Sequence, residues 1–496
     1  MSDLVKDLPK SGSLQTKIAL LSPSAADSLA AFVREYYSNA LIICDENTEK
    51  YIALLGNIGK VVKLDGSSHA DERGIAPLMD ELSLHDYDCV VACGSGSLHD
   101  ITRYCSHERT IDFVSFPTAP SVDGFVSSVA AMTFAGRKVS FESSSPVALF
   151  ADERVLADSP ARLTASGVGD IIGKYTALFD WQIANLLCGE PIAAEVYDLM
   201  KSALYRLSAL LDELISTNGE NANHSVAHGA VDSNTTHTIA HGTGDGNTTH
   251  TIARGADDGN TTHTIACGAG DGNTTHTIAC GTGDGSARYI TRSSPEYIRC
   301  VMECLILAGL SMQLCGNSRP ASGAEHHLSH FWEMNLVNKP CGALHGESVG
   351  CGTLLVARHY HAAASDRARF TELLTCRPDL ARLFDRSYLA PVFGDVTDGI
   401  LDENLKNRDP LTSSLNFEIS RECAELAADL TSSLISPERL EMYLKAAGAP
   451  TSPAELSLPE YLPKYGCPLA ELSLKFAPYV RRRITLLKLL NAHDNI

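Results

Sequence analysis

Residues 89–106, CVVACGSGSLHDITRYCS, join an apolar segment to a glycine-rich segment and then to apolar residues at helical spacing. We predict a buried strand, a loop and a helix in that order. Glycines let a backbone approach a pyrophosphate, and the following helix offers free N–H groups and the positive end of its dipole. A glycine turn after a strand is common, and the standard dinucleotide motif follows the first strand instead. Alone, this stretch indicates an α/β fold more firmly than a nucleotide site.

Strand-like segments lie on both sides of this stretch: ALIICD at 40–45, KVVKLDG at 60–66 and TIDFVSFP at 110–117. Short strands alternating with helices predict a parallel, wound α/β sheet. From Ser159 onward the apolar spacing is helical. We therefore predict an α/β nucleotide-binding domain over residues 1–158 and an all-α metal- and substrate-binding domain over residues 159–496. Ligand sites favour the cleft between two such domains.

The composition excludes some classes of function. Lys and Arg number 40 against 60 Asp and Glu, which gives a formal charge of -20. Nucleic-acid binders depend on Lys and Arg to hold phosphates, so we expect no nucleic-acid partner. The N-terminus, MSDLVKDLPKSGSLQTK, lacks the apolar core of a secretory signal. No apolar run is expected to reach the roughly 18 residues that span a bilayer, and we expect a cytoplasmic location.

A 13-residue repeat interrupts the helical region at 221–285, with copies of NTTHTIAHGTGDG and related sequences. Each copy carries a single large apolar residue, which buries too little surface to offset the entropy of ordering. We interpret the repeat as a flexible, low-complexity insertion between two helices. The alternatives are a small β-solenoid and a histidine-based metal buffer.

Two acids stand where a functional group is plausible, although each has a structural alternative. Asp45 ends the strand LIICD, where it could accept hydrogen bonds from a ribose or simply close a turn. Asp170 lies in ASGVGDIIGK, where it could bind a cation or cap a helix.

Histidines give the strongest local pattern. In SGAEHHLSHFWE, His326 and His330 are four apart and would share one face of a helix, while His327 and His330 offer a three-residue alternative. His345 follows in CGALHGESVG. Two imidazoles and the Asp170 carboxylate would make a three-ligand site with room for a substrate, as a catalytic metal requires. Spacing alone does not rank His326 above His327.

Taken together, these segments resemble the glycerol-1-phosphate dehydrogenase family, within the iron-alcohol-dehydrogenase and dehydroquinate-synthase-like superfamily. The matching stretches cover roughly residues 40–190 and 290–360. They are ACGSGSLHDITRY, FVSFPTAPSVDGFVSS, ALFADERVLADSPARLTASGVGDIIGKYTALFDWQIA, RPASGAEHHLSH and ALHGESVGCGT. The resemblance implies a dehydroquinate synthase-like fold and reversible reduction of dihydroxyacetone phosphate to sn-glycerol 1-phosphate with NADH or NADPH. The repeat has no counterpart in the family pattern.

The resemblance also implies a role for individual residues. Asp170, His326 and His345 would bind one divalent metal, with zinc or nickel expected. Asp170 would also contact substrate, Asp123 would bind substrate hydroxyls, and His330 would face substrate or relay a proton. The expected dinucleotide contacts, together with Asp45, are Gly94, Ser95, Gly96, Ser97, Leu98, Thr118, Ala119, Pro120, Ser121 and Ser127. Ser95 stands where the family has a middle glycine, which puts dinucleotide affinity rather than loop geometry in question.

Two rival enzymes stay open at this point: a dehydrogenase for an unphosphorylated polyol such as glycerol, and a carbon–oxygen lyase of the dehydroquinate synthase type. The distinction between a phosphorylated and an unphosphorylated substrate depends on whether cationic side chains line the substrate pocket. Arg319 and Lys174 are the candidates. A third alternative is a non-catalytic binding protein that works through the repeat. We expect a small phosphorylated polyol as partner and a homo-oligomeric state.

Overall fold

A computed structural model describes most of the chain. The described residues are 2–6, 8, 14–223, 237–243, 246–252, 261–267, 274–280, 290–334, 342–376, 385–405 and 418–493. Met1–Ile215 and Thr291–Ile496 form one compact unit, and Ser216–Ile290 forms another. The domain boundary after residue 158 stays a prediction.

Nine strands lie in the N-terminal part of the first unit. They are β1 (Ser2–Asp3), β2 (Ile18–Ser22), β3 (Ala40–Asp45), β4 (Gly59–Leu64), β5 (Cys89–Gly94), β6 (Asp112–Pro117), β7 (Val129–Phe134), β8 (Arg137–Glu142) and β9 (Ala148–Asp152). Seven of them form one sheet in the order β1-β2-β9-β6-β5-β3-β4, while β7 and β8 form a separate antiparallel hairpin. Every pair in the large sheet is parallel except β1 with β2.

The central strands are apolar throughout because both faces of the sheet are covered. All six residues of β5 are buried, and the residues of β3 and β6 alternate between two separate apolar clusters. Continuous apolar strands of this kind are typical of parallel sheets with helices on both faces. The predicted wound α/β sheet is therefore confirmed, and it also contains β2 and β9, which were not predicted.

Helices dominate the rest of the first unit. In chain order they are α1 (Ala25–Tyr36), α2 (Ile52–Leu55), α3 (Glu72–Leu84), α4 (Gly96–Arg109), α5 (Glu153–Ala157), α6 (Ala161–Ile172), α7 (Lys174–Cys188), α8 (Ala194–Asn223), α9 (Pro295–Cys315), α10 (Ala324–Glu333), α11 (His345–Ala364), α12 (Arg367–Thr375), α13 (Arg386–Phe393), α14 (Thr397–Leu405), α15 (Arg421–Ser432), α16 (Pro437–Ala447), α17 (Leu469–Phe476) and α18 (Leu486–His493). The predicted helical character of the C-terminal part is confirmed.

Helices α6 and α11 approach each other at the level of their backbones. A Cβ atom built on Gly169 would lie 2.2 Å from the Gly346 carbonyl oxygen, and one built on Gly346 would lie 1.9 Å from the Ser166 carbonyl oxygen. Neither distance is sterically possible, so both positions require glycine. This contact places the end of α6, which carries Asp170, beside the start of α11, which is His345.

Helix α9 bears on the prediction that the chain has no membrane span. Among the described residues, this is the one helix long and apolar enough to cross a membrane by length and composition. In its most apolar window, however, 72% of the residues are buried inside the protein. That burial identifies α9 as a core helix, and its apolar side chains pack against protein.

The repeat contains four further strands: β10 (His237–Thr243), β11 (Gly246–Ile252), β12 (Thr261–Cys267) and β13 (Thr274–Cys280). They pair as two antiparallel hairpins and not as the parallel coils of a β-solenoid, while the flexibility of the insertion stays a prediction. Runs of Thr and Ile suit strands because β-branched side chains fit a pleated surface. The histidine side chains of the repeat, and with them the metal-buffer hypothesis, lie outside the described residues.

Candidate active site

Three side chains from three helices meet at one buried point. Asp170 comes from α6, His326 from α10 and His345 from the first position of α11. One potential ligand atom from each lies within 4.8 Å of the other two, and this set is the candidate metal site within the described residues. Two imidazoles and one carboxylate suit a catalytic divalent ion, because they leave coordination positions for other ligands. The adjacent His327 is fully buried and takes no part in the cluster.

Each histidine of the cluster is oriented by a neighbouring acid. His326 Nδ1 lies 2.8 Å from Glu325 Oε1, and His345 Nδ1 lies 2.8 Å from Glu333 Oε1. These contacts leave both Nε2 atoms to face the cluster, and His326 Nε2 is 3.7 Å from Asp170 Oδ1. A carboxylate on the far nitrogen fixes the ring and makes the imidazole a better metal ligand.

Asp170 shares a buried ammonium group with Asp123. Lys174 Nζ lies 2.6 Å from Asp170 Oδ1 and 2.7 Å from Asp123 Oδ2, and the Asp123 backbone N–H donates to Asp170 Oδ2 over 2.9 Å. Burial opposes the charge on Asp170, but Lys174 and the two histidines lower its pKa to about 2. Burial and the neighbouring Asp170 raise the pKa of Asp123. Asp170 is thus held ionised, as a metal ligand must be.

Replacing Glu333 by glutamine tests this orientation. Burial lowers the pKa of His345, but the charge of Glu333 outweighs it, and the net pKa lies above the usual value. Only the neutral imidazole binds metal, so protons displace the ion as the pH falls through that raised pKa. We expect E333Q to weaken metal binding about 10- to 100-fold at neutral pH. Because the pKa of His345 falls with the loss of charge, the acid limb of binding should also move to lower pH.

Calorimetric titration of zinc into metal-free protein between about pH 5 and 8 measures both effects. The exposed pair of Arg358 and Glu441 supplies the control, E441Q. An acid limb that stays in place in E333Q would contradict the role given to Glu333.

The predicted nucleotide loop lies at the point where the direction of the sheet reverses. From β3 the chain moves outward to β4, and it then returns to β5 on the other side of β3. At such a switch point the loops that follow the two strands diverge and leave a crevice. The loop after β5 runs from Gly94 into α4, and the loop after β3 begins at Asp45.

Ser95 fits this loop without strain. Its φ of -98° and ψ of -165° are extended values that any residue can adopt. A side chain at the preceding position would displace Leu98, because a Cβ on Gly94 would lie 2.1 Å from a methyl carbon of Leu98. The side chain of Ser95, in contrast, leaves the loop geometry intact.

The other predicted dinucleotide residues fall into two groups. Ser95, Gly96, Ser97, Ser121 and Ser127 line a cleft of about 1190 Å³, which also contains Asp123, His326, His330 and His345. Leu98, Thr118 and Ala119 are buried and do not line the cleft, and the Pro120 carbonyl oxygen lies against Gly167 of α6. Asp45 Oδ1 accepts hydrogen bonds from Asn47 N, Thr48 N and Thr48 Oγ1, so it closes a turn. Its contact with a ribose stays a prediction.

The structure separates the two residues that were candidates for binding the substrate phosphate. The suggestion that Lys174 binds it was wrong, because Lys174 is fully buried between two carboxylates. Arg319 lines the cleft, together with the arginine run 481–483, which the sequence argument missed. Arg481 Nη2 lies 3.2 Å from His330 Nδ1. The three consecutive arginines were a visible signal in an acidic chain, but they lie in the last hundred residues, where the resemblance is loose.

Comparison with known proteins agrees with this geometry. Residues 21–160 match the family model described as iron-containing alcohol dehydrogenase. The chain is 30% identical over 380 residues to glycerol-1-phosphate dehydrogenase [NAD(P)+] of Bacillus velezensis, covering 73% of this chain and 77% of that one. The corresponding Bacillus licheniformis protein is 32% identical over 359 residues, covering 70% of each chain. The chain belongs to the glycerol-1-phosphate dehydrogenase family.

Solved structures support the fold of this family. The match to an alcohol dehydrogenase from Oenococcus oeni covers 97% of this chain and 98% of that one, at a TM-score of 0.51 and 13% identity. The match to a maleylacetate reductase from a Rhizobium species covers 98% of this chain and 97% of that one, at a TM-score of 0.50 and 14% identity. At such identities the likeness shows the fold alone. The family resemblance predicted from the sequence is confirmed.

Proposed function

We propose that this chain interconverts dihydroxyacetone phosphate and sn-glycerol 1-phosphate with NADH or NADPH, with one divalent ion bound by Asp170, His326 and His345. The observation that carries the proposal is the meeting of these three side chains, two of which, His326 and His345, line the same cleft as residues 95–97 of the glycine-rich loop. Family membership supports the choice of reaction, because the relatives are named as NAD(P)+-linked glycerol-1-phosphate dehydrogenases.

Different residues would have different roles in the proposed reaction. When bound, a zinc or nickel ion would polarise a substrate oxygen as a Lewis acid, and the nicotinamide would supply or accept the hydride. Lys174 keeps Asp170 ionised, and Glu325 and Glu333 aim the two imidazoles. The N-terminus of α4 offers N–H groups to a pyrophosphate, in the manner of glycine-rich loops elsewhere.

His330 is suited to donate to a substrate oxygen. Its Nδ1 accepts from Arg481, so the neutral ring carries its proton on Nε2. Burial, and then the charge of Arg481, lower the pKa of His330 and favour this neutral form. Reduction of a ketone consumes one hydride and one proton, and His330 lines the cleft where that proton is needed. Asp123 lines the same cleft and would accept from substrate hydroxyls.

An NADH oxidation assay on the metal-loaded protein tests the reaction. We expect dihydroxyacetone phosphate to be reduced with a kcat/KM about 100-fold above that of dihydroxyacetone, because charge-assisted bonds to a phosphate are strong. A preference for the unphosphorylated ketone would instead indicate a polyol dehydrogenase. Substrate turnover without net consumption of NADH would indicate a lyase. A cytoplasmic location and a homo-oligomeric state remain predictions.

A further inference from the structure

Three arginines converge at the end of the cleft beside His330. Arg481 lies against His330, whose ring centroid is 5.8 Å from that of His345. Arg483 donates through Nη2 to Ser318 Oγ over 2.7 Å, and Arg319 is the next residue in the chain. We call Arg319, Arg481 and Arg483 the arginine cluster.

Arg319 has an N–H group that the described residues do not use. Arg319 is only 2% exposed; its Nη2 donates to the Asp180 carbonyl oxygen, and its Nε lies 3.0 Å from Glu190 Oε1. Its Nη1 is buried and has no hydrogen-bond partner among the residues that the structure describes. A buried N–H of a cation without a partner is costly, and an anionic ligand would satisfy it.

Arg483 contributes a second guanidinium group to the arginine cluster, in which the Glu190 carboxylate already faces Arg319. Within the described part of the chain, Arg483 bonds to neutral oxygens, those of Ser318 and Ser322. All three arginines line one cleft in a chain whose formal charge is -20, and burial and then the charges of Arg319 and Arg481 lower the pKa of Arg483. Like charges held together repel, and a dianion between them relieves the repulsion. Guanidinium groups match phosphate oxygens in geometry as well as charge.

The position of the cluster selects a substrate of a certain length. The ring of His330 lies between Arg481 and the candidate metal ligands: Arg481 contacts His330, whose ring centroid is 6.1 Å from that of His326. In a triose phosphate only a methylene and an ester oxygen separate the carbonyl carbon from phosphorus. If the carbonyl oxygen of the substrate lies at the candidate metal site, the phosphate is therefore within reach of Arg481.

On the basis of the proposed function, we propose that Arg319, Arg481 and Arg483 form the subsite for the phosphate of a short phosphorylated ketone or polyol. The 2′-phosphate of NADP is the other possible source of the same chemistry. That group would bind after β3, near Asp45, and Asp45 does not line the cleft.

The experiment compares Arg481→Gln and Arg319→Gln with the wild-type holoenzyme. We expect Arg319→Gln to lower kcat/KM for dihydroxyacetone phosphate about 10- to 100-fold and to change that for dihydroxyacetone less than about threefold. Arg481→Gln also loses the contact with His330, so it should lower kcat/KM for both ketones, with the larger loss for dihydroxyacetone phosphate. KM for NADPH and for NADH should stay equal to the wild-type values. Arg367→Gln removes an exposed arginine outside the cleft and is the matched control.

A second measurement does not depend on turnover. Inorganic phosphate should bind the wild-type protein in calorimetry and bind the two variants at least about tenfold more weakly. This binding arm still tests the subsite if the wild-type protein reduces neither ketone, an outcome that would reject the proposed function alone. Circular dichroism checks folding, and Arg319→Lys replaces Arg319→Gln if the latter does not fold.

Two outcomes would overturn the subsite. Equal losses for the phosphorylated and free ketones would mean that Arg481 acts only by positioning His330. A rise in KM confined to NADPH would assign the cluster to the cofactor.

Discussion

Alanine in place of His345 is expected to abolish metal binding and to lower kcat/KM by about 10³-fold or more. A Lewis acid supplies several kcal/mol of transition-state stabilisation, and each 1.4 kcal/mol is a factor of ten. His345 begins α11, and 27% of its side chain is exposed, so its loss removes little packing. Elemental analysis of the purified protein beside an NADH oxidation assay measures both effects, and circular dichroism should show an unchanged fold.

The neighbouring pair His326 and His327 supplies the sharpest control. His326→Ala should lose the metal as His345→Ala does, whereas His327→Ala should keep it. His327 is completely buried, so its replacement would cost stability and leave the ion in place. Metal retained in His345→Ala and lost in His327→Ala would show that the cluster is not the metal site.

Replacing Lys174 by methionine is expected to destabilise the metal-free protein by about 3–5 kcal/mol. The substitution keeps most of the apolar stem and removes the charge that Asp123 and Asp170 share, and an uncompensated buried charge costs about that much. Urea unfolding followed by circular dichroism gives the difference in free energy. Added zinc should restore part of it, because a cation on Asp170 replaces the missing ammonium.

The double variant K174M/D123N provides the test of mechanism. Removing one of the two carboxylates should recover part of the loss, so the two substitutions should not be additive. The deficit of K174M should also shrink as the pH falls. Without Lys174, burial and mutual repulsion raise the pKa of both carboxyl groups. Both groups therefore become protonated as the pH falls, and protonation removes their repulsion. Additive losses that do not change with pH would mean that Lys174 acts only through packing.

Periodicity and glycine placement were enough to predict the parallel sheet, because a strand buried on both faces is apolar along its whole length, as β3 and β5 are. They did not identify β2 and β9. Helical spacing put His326 and His330 on one face, yet it could not choose between His326 and His327. That choice depends on which ring meets residues from α6 and α11, which is a tertiary fact.

Charged residues show the same limit. Lys174 was one of two candidates for phosphate binding, because a sequence gives the charge of a side chain but not its burial. Arg481 was missed because 151 positions separate it from His330. Arg481 and His330 meet because the C-terminal segment packs onto α10, and no local sequence pattern predicts that packing.

The close approach of α6 and α11 has a consequence for how such a protein can evolve. The distance between Asp170 and His345 is set where main chain meets main chain, at Gly169 and Gly346, and not by the side chains that line the cleft. Lining positions can therefore change, and new substrates can be recruited, while the cation stays where it is.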